Sequence, residues 1–529
     1  MEIESHKKYN LFLYSIGLFS CIYFFAFNII GSSYEFFPGD LGDARFNNYL
    51  LEHSYQFFCG NINSFWNAPF IFPEKNIITY SDNLIGSAPF YSLFRLIGQD
   101  RETSFQNWFI VMTALNYTSC YILLKYLFKN SYAAVLGAII FTSSIALQAQ
   151  IGHAQTIPRF PIPLAILFGL LFTKELNPKY FFLMLLMLSY QLYCGIYLGF
   201  LLIIPITLLI VTSIIIKRNL YFTKIKEVRW LSLITVTLVI NAIFIAILLL
   251  PYKERADLGG LYLYEDIVTS VPTLKSYFYS NSGSLLWGKL EHIADDYLCY
   301  WDYRIFPGGV ATLSVVFCLY MFLKSFNIKR NFNENNYHYL ILFFMCSFTF
   351  LFFIRVNNLS LYKILFNIPG FASMRALQRI INIELVFYAA ATAFFFKYFL
   401  QNKKIYKNFV IFMFLLSIVI IDNKVEAGGT HRTKKNISQD RISILVNKMK
   451  MIPKGSIISY EPDTMYSHPN DYQIDAMLAS QSLLLKCLNG YTATSPNEYY
   501  LYWGKPNEES RIKWLKYKGA LSEKIFVIH

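Results

Sequence analysis

Pro38-Gly39-Asp40-Leu41-Gly42-Asp43-Ala44-Arg45-Phe46 follows closely on the first long apolar run of the chain, Tyr9 to Ile30, and the two together decide how the rest is read. An apolar run of membrane-spanning length that ends in Gly31-Ser32-Ser33 and then sets two carboxylates three residues apart places them at the water-facing edge of a membrane. Glu52 and His53 come next. Apolar surroundings raise a carboxylate pKa and favour proton abstraction, so the stretch has the pattern of an acid–base site. A helix over 40–53 puts Asp40 and Asp43 on one face, with Phe46, Tyr49 and Leu50 as its apolar stripe. The plainer alternative is a helix cap and a solvated turn.

Of the 529 residues 55% are hydrophobic, 18% aromatic and only 15% charged, and mean hydropathy is +0.38, outside the range of soluble globular chains. The expected fold class is an α-helical polytopic membrane protein. A net charge of +14 suggests nucleic acid in a soluble protein, but here Lys and Arg sit mainly in short loops between apolar runs, as the positive-inside rule requires. Nucleic acid is therefore excluded as a partner, and membrane lipids or a lipid phosphate are the anions expected. Lys7 and Lys8 precede the first run and no small-residue cleavage site follows it, so it is expected to stay as the first helix. Eight cysteines are scattered singly, four of them (Cys21, Cys120, Cys318, Cys346) in apolar runs, without metal-thiolate spacing. Pairing among Cys59, Cys299 and Cys487 is the remaining disulfide option.

Apolar runs near 10–31, 107–128, 132–148, 158–173, 179–192, 196–216, 230–250, 306–324, 338–354, 380–400 and 408–421 predict about eleven transmembrane helices within a membrane domain, 1–421. The runs 158–173 and 179–192 are short, so they are tilted, broken or re-entrant. Lys7/Lys8, Lys129, Lys174/Lys179, Lys217-Arg218 with Lys224, Lys226 and Arg229, Lys329-Arg330 and Lys403/Lys404/Lys407 fall on one side, the cytoplasm, with the N-terminus. The outer loops 32–106 and 251–305, the segment 355–379 and the tail from 422 fall on the other.

The first outer loop is rich in aromatic, amide and proline residues (Phe65-Trp66-Asn67-Ala68-Pro69-Phe70, Tyr80-Ser81-Asp82-Asn83, Pro89-Phe90-Tyr91) and reads as ordered, either a sugar-binding surface or an interfacial aromatic belt. His153 and Arg159 follow the third helix at its outer end. Glu265-Asp266, Glu291, Asp295-Asp296 and Asp302 offer a further acid for Asp40 or Asp43. Arg355 ends the ninth helix, and Arg375 and Arg379, i and i+4 on a helix, aim at one point where they bracket a phosphate or snorkel to headgroups. Beyond Asp422, Gly428-Gly429 and His431 to Gln439 read as a linker. A small extracytoplasmic α/β domain, 422–529, follows, with helices near 438–450, 471–484 and 508–517 and strands near 455–460, 486–493 and 524–528. It carries no nucleotide loop, and Asn489-Gly490-Tyr491 is its candidate contact with the outer site.

The layout resembles the C-type glycosyltransferase superfamily (GT-C) of polytopic membrane enzymes. The resemblance rests on Gly-Asp-Leu-Gly-Asp at 39–43, Gly-His at 152–153 followed by Arg159 and Pro163, Phe-Pro-Gly-Gly at 306–309, Pro-Gly-Phe-x-x-x-Arg-x-x-x-Arg at 369–379 and Asn-Gly-Tyr-x-x-x-x-Pro at 489–496. Each is weak alone, and their order along nearly the whole chain carries the specificity. The resemblance implies a bacterial inner-membrane hexosyltransferase that takes sugar from a polyprenyl-phosphate donor and inverts the anomeric carbon. The acceptors it allows are an O-antigen repeat, another surface glycan, a lipid A unit or a protein, and the one favoured is a lipid-linked or surface glycan such as O-antigen of lipopolysaccharide. Asp43 is then the base, Asp40 its orienter or a metal ligand, and Arg375 and Arg379 the lipid-phosphate ligands, with Arg355, His153 and Arg159 in second place. No cofactor is required; a divalent ion, Mg or Mn, on Asp40 is the alternative to part of the arginine role. The acid pair is Asp-x-x-Asp, where some branches have Asp-x-Asp or Glu-Asp, which leaves the choice of catalytic aspartate and the need for metal open. The rival readings are a transporter or flippase of lipid-linked saccharides, a polysaccharide polymerase, and a catalytically silent membrane protein. A transporter calls for ionisable groups at mid-membrane and repeated broken helices, whereas the charges here cluster at the outer rim.

Overall fold

The computed structural model describes residues 2–259, 261–294, 303–326, 337–400, 405–463 and 468–529. Helix α1 (Glu2–Cys21) continues through a π-helical turn into Phe27–Ile30. After strand β1 (Phe36–Pro38) come α2 (Asp43–Phe58) and α3 (Ala88–Leu96), both outside the bundle. The bundle is then built from α4 (Arg101–Phe128), α5 (Ser131–Ser143), α6 (Pro161–Glu175), α7 (Pro178–Cys194), α8 (Ile196–Ile216) and α9 (Val228–Asp257). It is completed by α10 (Gly309–Phe326), α11 (Tyr337–Phe352), α12 (Ile381–Phe399) and α13 (Ile405–Asp422). Local chemistry sets several starts: Asp100 accepts the Thr103 amide at 2.8 Å, and Pro161 and Pro178 open their helices where no N–H partner is needed.

The chain is an α-helical polytopic membrane protein with a small C-terminal α/β region, but the expectation of eleven spans is corrected. Every apolar run lies on a helix, yet six described segments are long and apolar enough to cross a membrane: Lys7–Ile30, Ser131–Gln148, Ala154–Glu175, Ile196–Ile216, Val228–Asp257 and Leu377–Phe399. Gly309–Lys324 and Ile341–Phe352 are apolar but shorter. Helix α4 is long, but its apolar residues are interrupted by Asn107, Thr113, Asn116, Thr118 and Ser119; Asn107 bonds to Tyr34 and Gln99, and Asn116 donates to the Ile157 carbonyl at 2.8 Å. Helix α7 has only 17 residues. An apolar run makes a helix bury itself in neighbours as readily as in lipid.

The C-terminal region has α14 (Lys435–Met449), β3 (Ile457–Tyr460), α15 (Pro469–Ser482), β4 (Lys486–Cys487), α16 (Glu508–Tyr517) and β5 (Ile525–Ile528). The strands form a parallel sheet in the order β4-β3-β5, with Ile457 opposite both Lys486 and Ile525. Ile457-Ile458-Ser459-Tyr460 is buried throughout, as a central parallel strand must be. The strand expected over 486–493 stops at Cys487. The Asn489 side chain takes over, accepting the Tyr460 amide at 2.7 Å and donating to its carbonyl at 3.0 Å, and the chain leaves the sheet as a loop.

The expected linker is also corrected. Arg432–Lys434 is a strand, β2, paired antiparallel with β1 so that Phe37 faces Thr433, and α14 begins at Lys435. Of the acidic and basic residues read from sequence, Asp295, Asp296, Asp302, Lys329, Arg330, Lys403 and Lys404 lie outside the described residues, as does Cys299. Cys59 is exposed and Cys487 buried, both as free thiols.

Two cores result. One fills the helical bundle. The other joins β1, α2, the first loop and the start of α4 to the C-terminal region, packing Phe37, Tyr49 and Phe70 in one cluster with Met477 and Trp514. Within it Arg45 meets Asp475 at 2.7 Å, with 1% and 3% of the side chains exposed, and Asp475 also accepts from Arg441 at 2.9 Å. Removing one partner of a buried pair strands the other charge. Asp475→Ala is therefore expected to destabilise the full chain by about 3–5 kcal/mol, read as a lowered thermal melting midpoint in detergent. Lys513→Ala, on a solvated helix pair, is the control that leaves the midpoint in place.

Candidate active site

The acidic turn is set by backbone. Gly39 has φ +96°, and a Cβ there would stand 2.3 Å from the Ala44 Cβ and 3.2 Å from the Gly152 Cα, so only glycine lets the turn descend on 151–153. Its amide donates to the His431 carbonyl at 2.9 Å, extending the β1–β2 ladder. The expected helix over 40–53 starts at Asp43 instead. Asp40 precedes it and accepts the Gly42 and Ala44 amides through one oxygen, each at 3.1 Å, so it satisfies N–H groups that a helix start leaves without partners. Asn47 ties the first turn of α2 to the 153–156 turn, donating to the Asp43 carbonyl at 2.7 Å and to Gln155 at 3.0 Å.

Both carboxylates thus open on one recess, in different states. Asp43 accepts the Tyr491 hydroxyl on one oxygen at 2.5 Å and has His153 Nδ1 3.0 Å from the other. Loss of water works to raise its pKa, but His153, the Tyr491 hydroxyl and the charge of Arg379 outweigh that and hold it below the usual carboxylate range. Asp40 is open to the recess, yet loss of bulk water raises its pKa; the Ala44 amide offsets part of this and the Asp43 charge adds to it. His431 is lowered, again by loss of water first, with Asp40 opposing and Arg304 and His153 reinforcing. Burial and then the Asp43 charge raise the Tyr491 phenol. Two acids whose environments drive their pKa values apart are what an acid–base site requires. His153 and Asp43 keep 26% and 31% of their side chains exposed, so a ligand reaches them.

The arginines arrive differently from the sequence reading. Residues 374–376 are extended between two 3₁₀ turns, so no single helix carries Arg375 and Arg379. Tyr197, on the first turn of α8, brings them together: its hydroxyl accepts the Arg375 amide at 3.0 Å, and the Arg379 guanidinium lies over its ring at 5.0 Å. Arg375 Nη2 donates to the Ala493 carbonyl at 2.7 Å. The charge of Arg379 reaches Asp43 and also Asp82.

Asp40, Asp43, His153, Arg375 and Arg379 are brought together; Arg159 and Arg355 are not. Arg159 is buried in the bundle, its guanidinium 4.8 Å over the Phe141 ring. Arg355 lies on a small hairpin, Arg355–Val356 with Leu359–Ser360, and its amide donates to Pro272. Glu52 and His53 are structural: Glu52 accepts from Tyr91 and Arg95, and His53, bonded to the Phe65 carbonyl at 2.7 Å, is pushed down to about 4 by burial. Glu291 pairs with Arg304, whose charge also reaches His431. Asp40 spends one oxygen on its own turn, and among the described residues no three His, Cys, Asp or Glu side chains gather as metal ligands.

Asp82 was not legible as a site residue. It accepts the Ile196 amide at 2.6 Å, capping α8 and so holding Tyr197, and burial pushes its carboxyl up to about 6 against the pull of that amide and of Arg379. Nothing in Tyr80-Ser81-Asp82-Asn83 marks a cap for a helix over a hundred residues away. Tyr491 was named only as a possible contact.

No family model matches the chain, and no curated protein does either. Among solved structures it is similar to the oligosaccharyltransferase of Archaeoglobus fulgidus in complex with zinc and sulfate, with TM-score 0.50 and 12% identity over 97% of this chain and 67% of that one. The apo form of that protein gives TM-score 0.50 and 11% identity, covering 97% and 69%. An arabinofuranosyltransferase from mycobacteria, AftD, is matched at TM-score 0.45 and 11% identity over 86% of this chain and 31% of that one. What the likeness to the oligosaccharyltransferase shows is a shared fold.

The Asp82 carboxyl binds its proton more tightly folded than unfolded between about pH 4 and 6, so its contribution to stability falls as pH rises through that window. Asp82→Asn keeps an acceptor for Ile196 and removes the charge. The expected outcome is a smaller loss of melting midpoint between pH 4 and pH 7 than in the wild type, measured by thermal unfolding of both proteins across the range.

Proposed function

We propose that the chain is a membrane glycosyltransferase that moves a hexose from a polyprenyl-phosphate donor to a hydroxyl of an acceptor outside the cytoplasmic membrane of a bacterium. The acceptor we favour is a lipid-linked or surface glycan such as O-antigen of lipopolysaccharide. In this reading the N-terminus is cytoplasmic and the recess, with the C-terminal region over it, is extracytoplasmic. The observation that carries the proposal is the convergence of an ionised carboxylate, an imidazole and two arginines from distant parts of the chain on one open recess in a fold of this kind.

The chemistry asks for little more. The acceptor oxygen attacks the anomeric carbon, its proton passes to Asp43, and the bond from that carbon to the phosphate oxygen breaks with both electrons leaving on the lipid phosphate. Attack opposite the leaving group inverts the centre. The leaving phosphate is a weak base and needs charge stabilisation, not a proton, which Arg375 and Arg379 supply. Asp43, kept ionised by His153 and the charge of Arg379, is a weak base, and an oxocarbenium-like transition state releases the acceptor proton late enough for one to suffice. Asp40, bound into its own turn, sets the position of Asp43.

The test is mass spectrometry of surface glycans from cells carrying the wild-type chain, lacking it, or carrying Asp43→Asn, with membrane levels of the variant checked by immunoblot. Loss of a positioned base costs about 10²–10⁴-fold in rate, so a hexose-sized mass is expected with wild type alone. An Asp43→Asn strain indistinguishable from wild type removes Asp43 as the base. The absence of a glycan difference between wild type and deletion removes the proposed acceptor class.

A further inference from the structure

Residues 491–494 cross the recess as a short strap, and their contacts are almost all polar. Tyr491 donates to Asp43, the Ala493 carbonyl accepts from Arg375 at 2.7 Å, and the Ala493 amide donates to the Ser81 hydroxyl at 2.8 Å. Thr494 accepts from Arg255 at 3.2 Å, and its amide donates to the Tyr80 carbonyl. The strap is anchored on both sides by deep packing. Before it, Asn489 is locked to β3, and a Cβ on Gly490 would stand 2.3 Å from the Ile71 side chain; after it, Tyr499 is buried against Trp514. Between those anchors the Tyr491 ring packs edge-on to Phe46, Thr492 is buried, and Ala493 is exposed.

The groups the strap presents match the groups a glycosyl transfer brings. A hydroxyl stands on the ionised carboxylate, and an sp² oxygen stands on an arginine. We propose that this is a substrate-displaced strap: the Tyr491 hydroxyl holds the place of the acceptor hydroxyl on Asp43, and the Ala493 carbonyl holds the place of a phosphate oxygen on Arg375. This rests on the transferase reading for the identity of the incoming groups, while the strap itself rests on the contacts above. Until both ligands arrive, Asp43 and Arg375 are kept paired, and a water molecule is kept from the position of the acceptor. Phosphate arrival at Arg375 removes the Ala493 contact, the strap swings on its two anchors, and Tyr491 releases the carboxylate. A charge-assisted bond released in this way is replaced by one of the same kind, so the exchange is close to balanced and reversible.

Thr492 is buried with the strap down, so its exposure to solvent reports the motion. The experiment uses the full chain in nanodiscs with Thr492→Cys in a Cys59→Ser, Cys299→Ser background, and follows the rate of modification by a water-soluble maleimide. Adding Tyr491→Phe removes the hydroxyl and keeps the ring against Phe46; it is expected to raise the rate about tenfold, the effect of one lost hydrogen bond to a charged group. Adding undecaprenyl phosphate to the Tyr491 protein is expected to raise it several-fold. A matched melting midpoint shows that Tyr491→Phe has not simply loosened the fold. If neither change alters the rate, the strap is fixed and the proposal is overturned. If Tyr491→Phe raises it and undecaprenyl phosphate does not, the strap stands and the phosphate assignment of the arginine site falls.

Discussion

Everything at the recess depends on one short antiparallel pairing, Phe36–Pro38 with Arg432–Lys434, and on the glycine that ends it. The ladder and the bond from the Gly39 amide to the His431 carbonyl join residues nearly four hundred positions apart. With β1 fixed, the φ of Gly39 turns the chain down onto Gly152, and Asp43 meets His153 at the first residue of α2. No side chain in the site has to reach far. Geometry of this kind holds a carboxylate in place without a deep pocket, because the backbone on both sides is already paired.

The electrostatics follow from that placement. Two aspartates three residues apart in a partly dry recess cannot both ionise cheaply. The structure resolves the conflict by giving them unlike partners. Asp40 has lost bulk water, which the amide of Ala44 only partly offsets, and its pKa rises; Asp43 faces an imidazole, a phenol and an arginine, which outweigh the same loss, and its pKa falls. Arg379 in turn lies between Asp43 and Asp82, with Tyr197 beneath it. Among the described residues the cation is therefore held without a close ion pair.

How much of this the sequence carried depends on the range of the interaction. Hydropathy is a local property, so every apolar run was found on a helix; whether a helix touches lipid or neighbours is not local, and the count of spans fell accordingly. The pairing of Asp40 with Asp43 was legible as spacing, but the helix assumed to align them was not there, because Asp40 bonds to the amides that a continuing helix would have used. Arg375 and Arg379 were grouped by helical periodicity and are grouped in fact by a tyrosine from α8. Gly428-Gly429 and the polar residues after it have the composition of a linker; three of those residues are a strand only because β1 is there to pair with them. Asp82 and Tyr491 act across 114 and 448 positions, and no local signal marks either.

The same long-range contacts bear on where the C-terminal region ends and the membrane part begins. A boundary at 421/422 follows the change in composition, but the packing does not follow it. The second core contains Phe37, Tyr49 and Trp108 from one side of that boundary and Ile458, Met477 and Trp514 from the other. Arg45 is buried on Asp475, Arg101 donates to the Leu478 carbonyl, and Gln481 donates to that of Tyr49. A chain cut at 421 would leave Arg45 without its carboxylate, α2 without one wall and Asp43 without Tyr491. Burying a cation and an apolar helix face with no partner costs more than a surface loop can return, so the region over the recess is part of the structure that forms it.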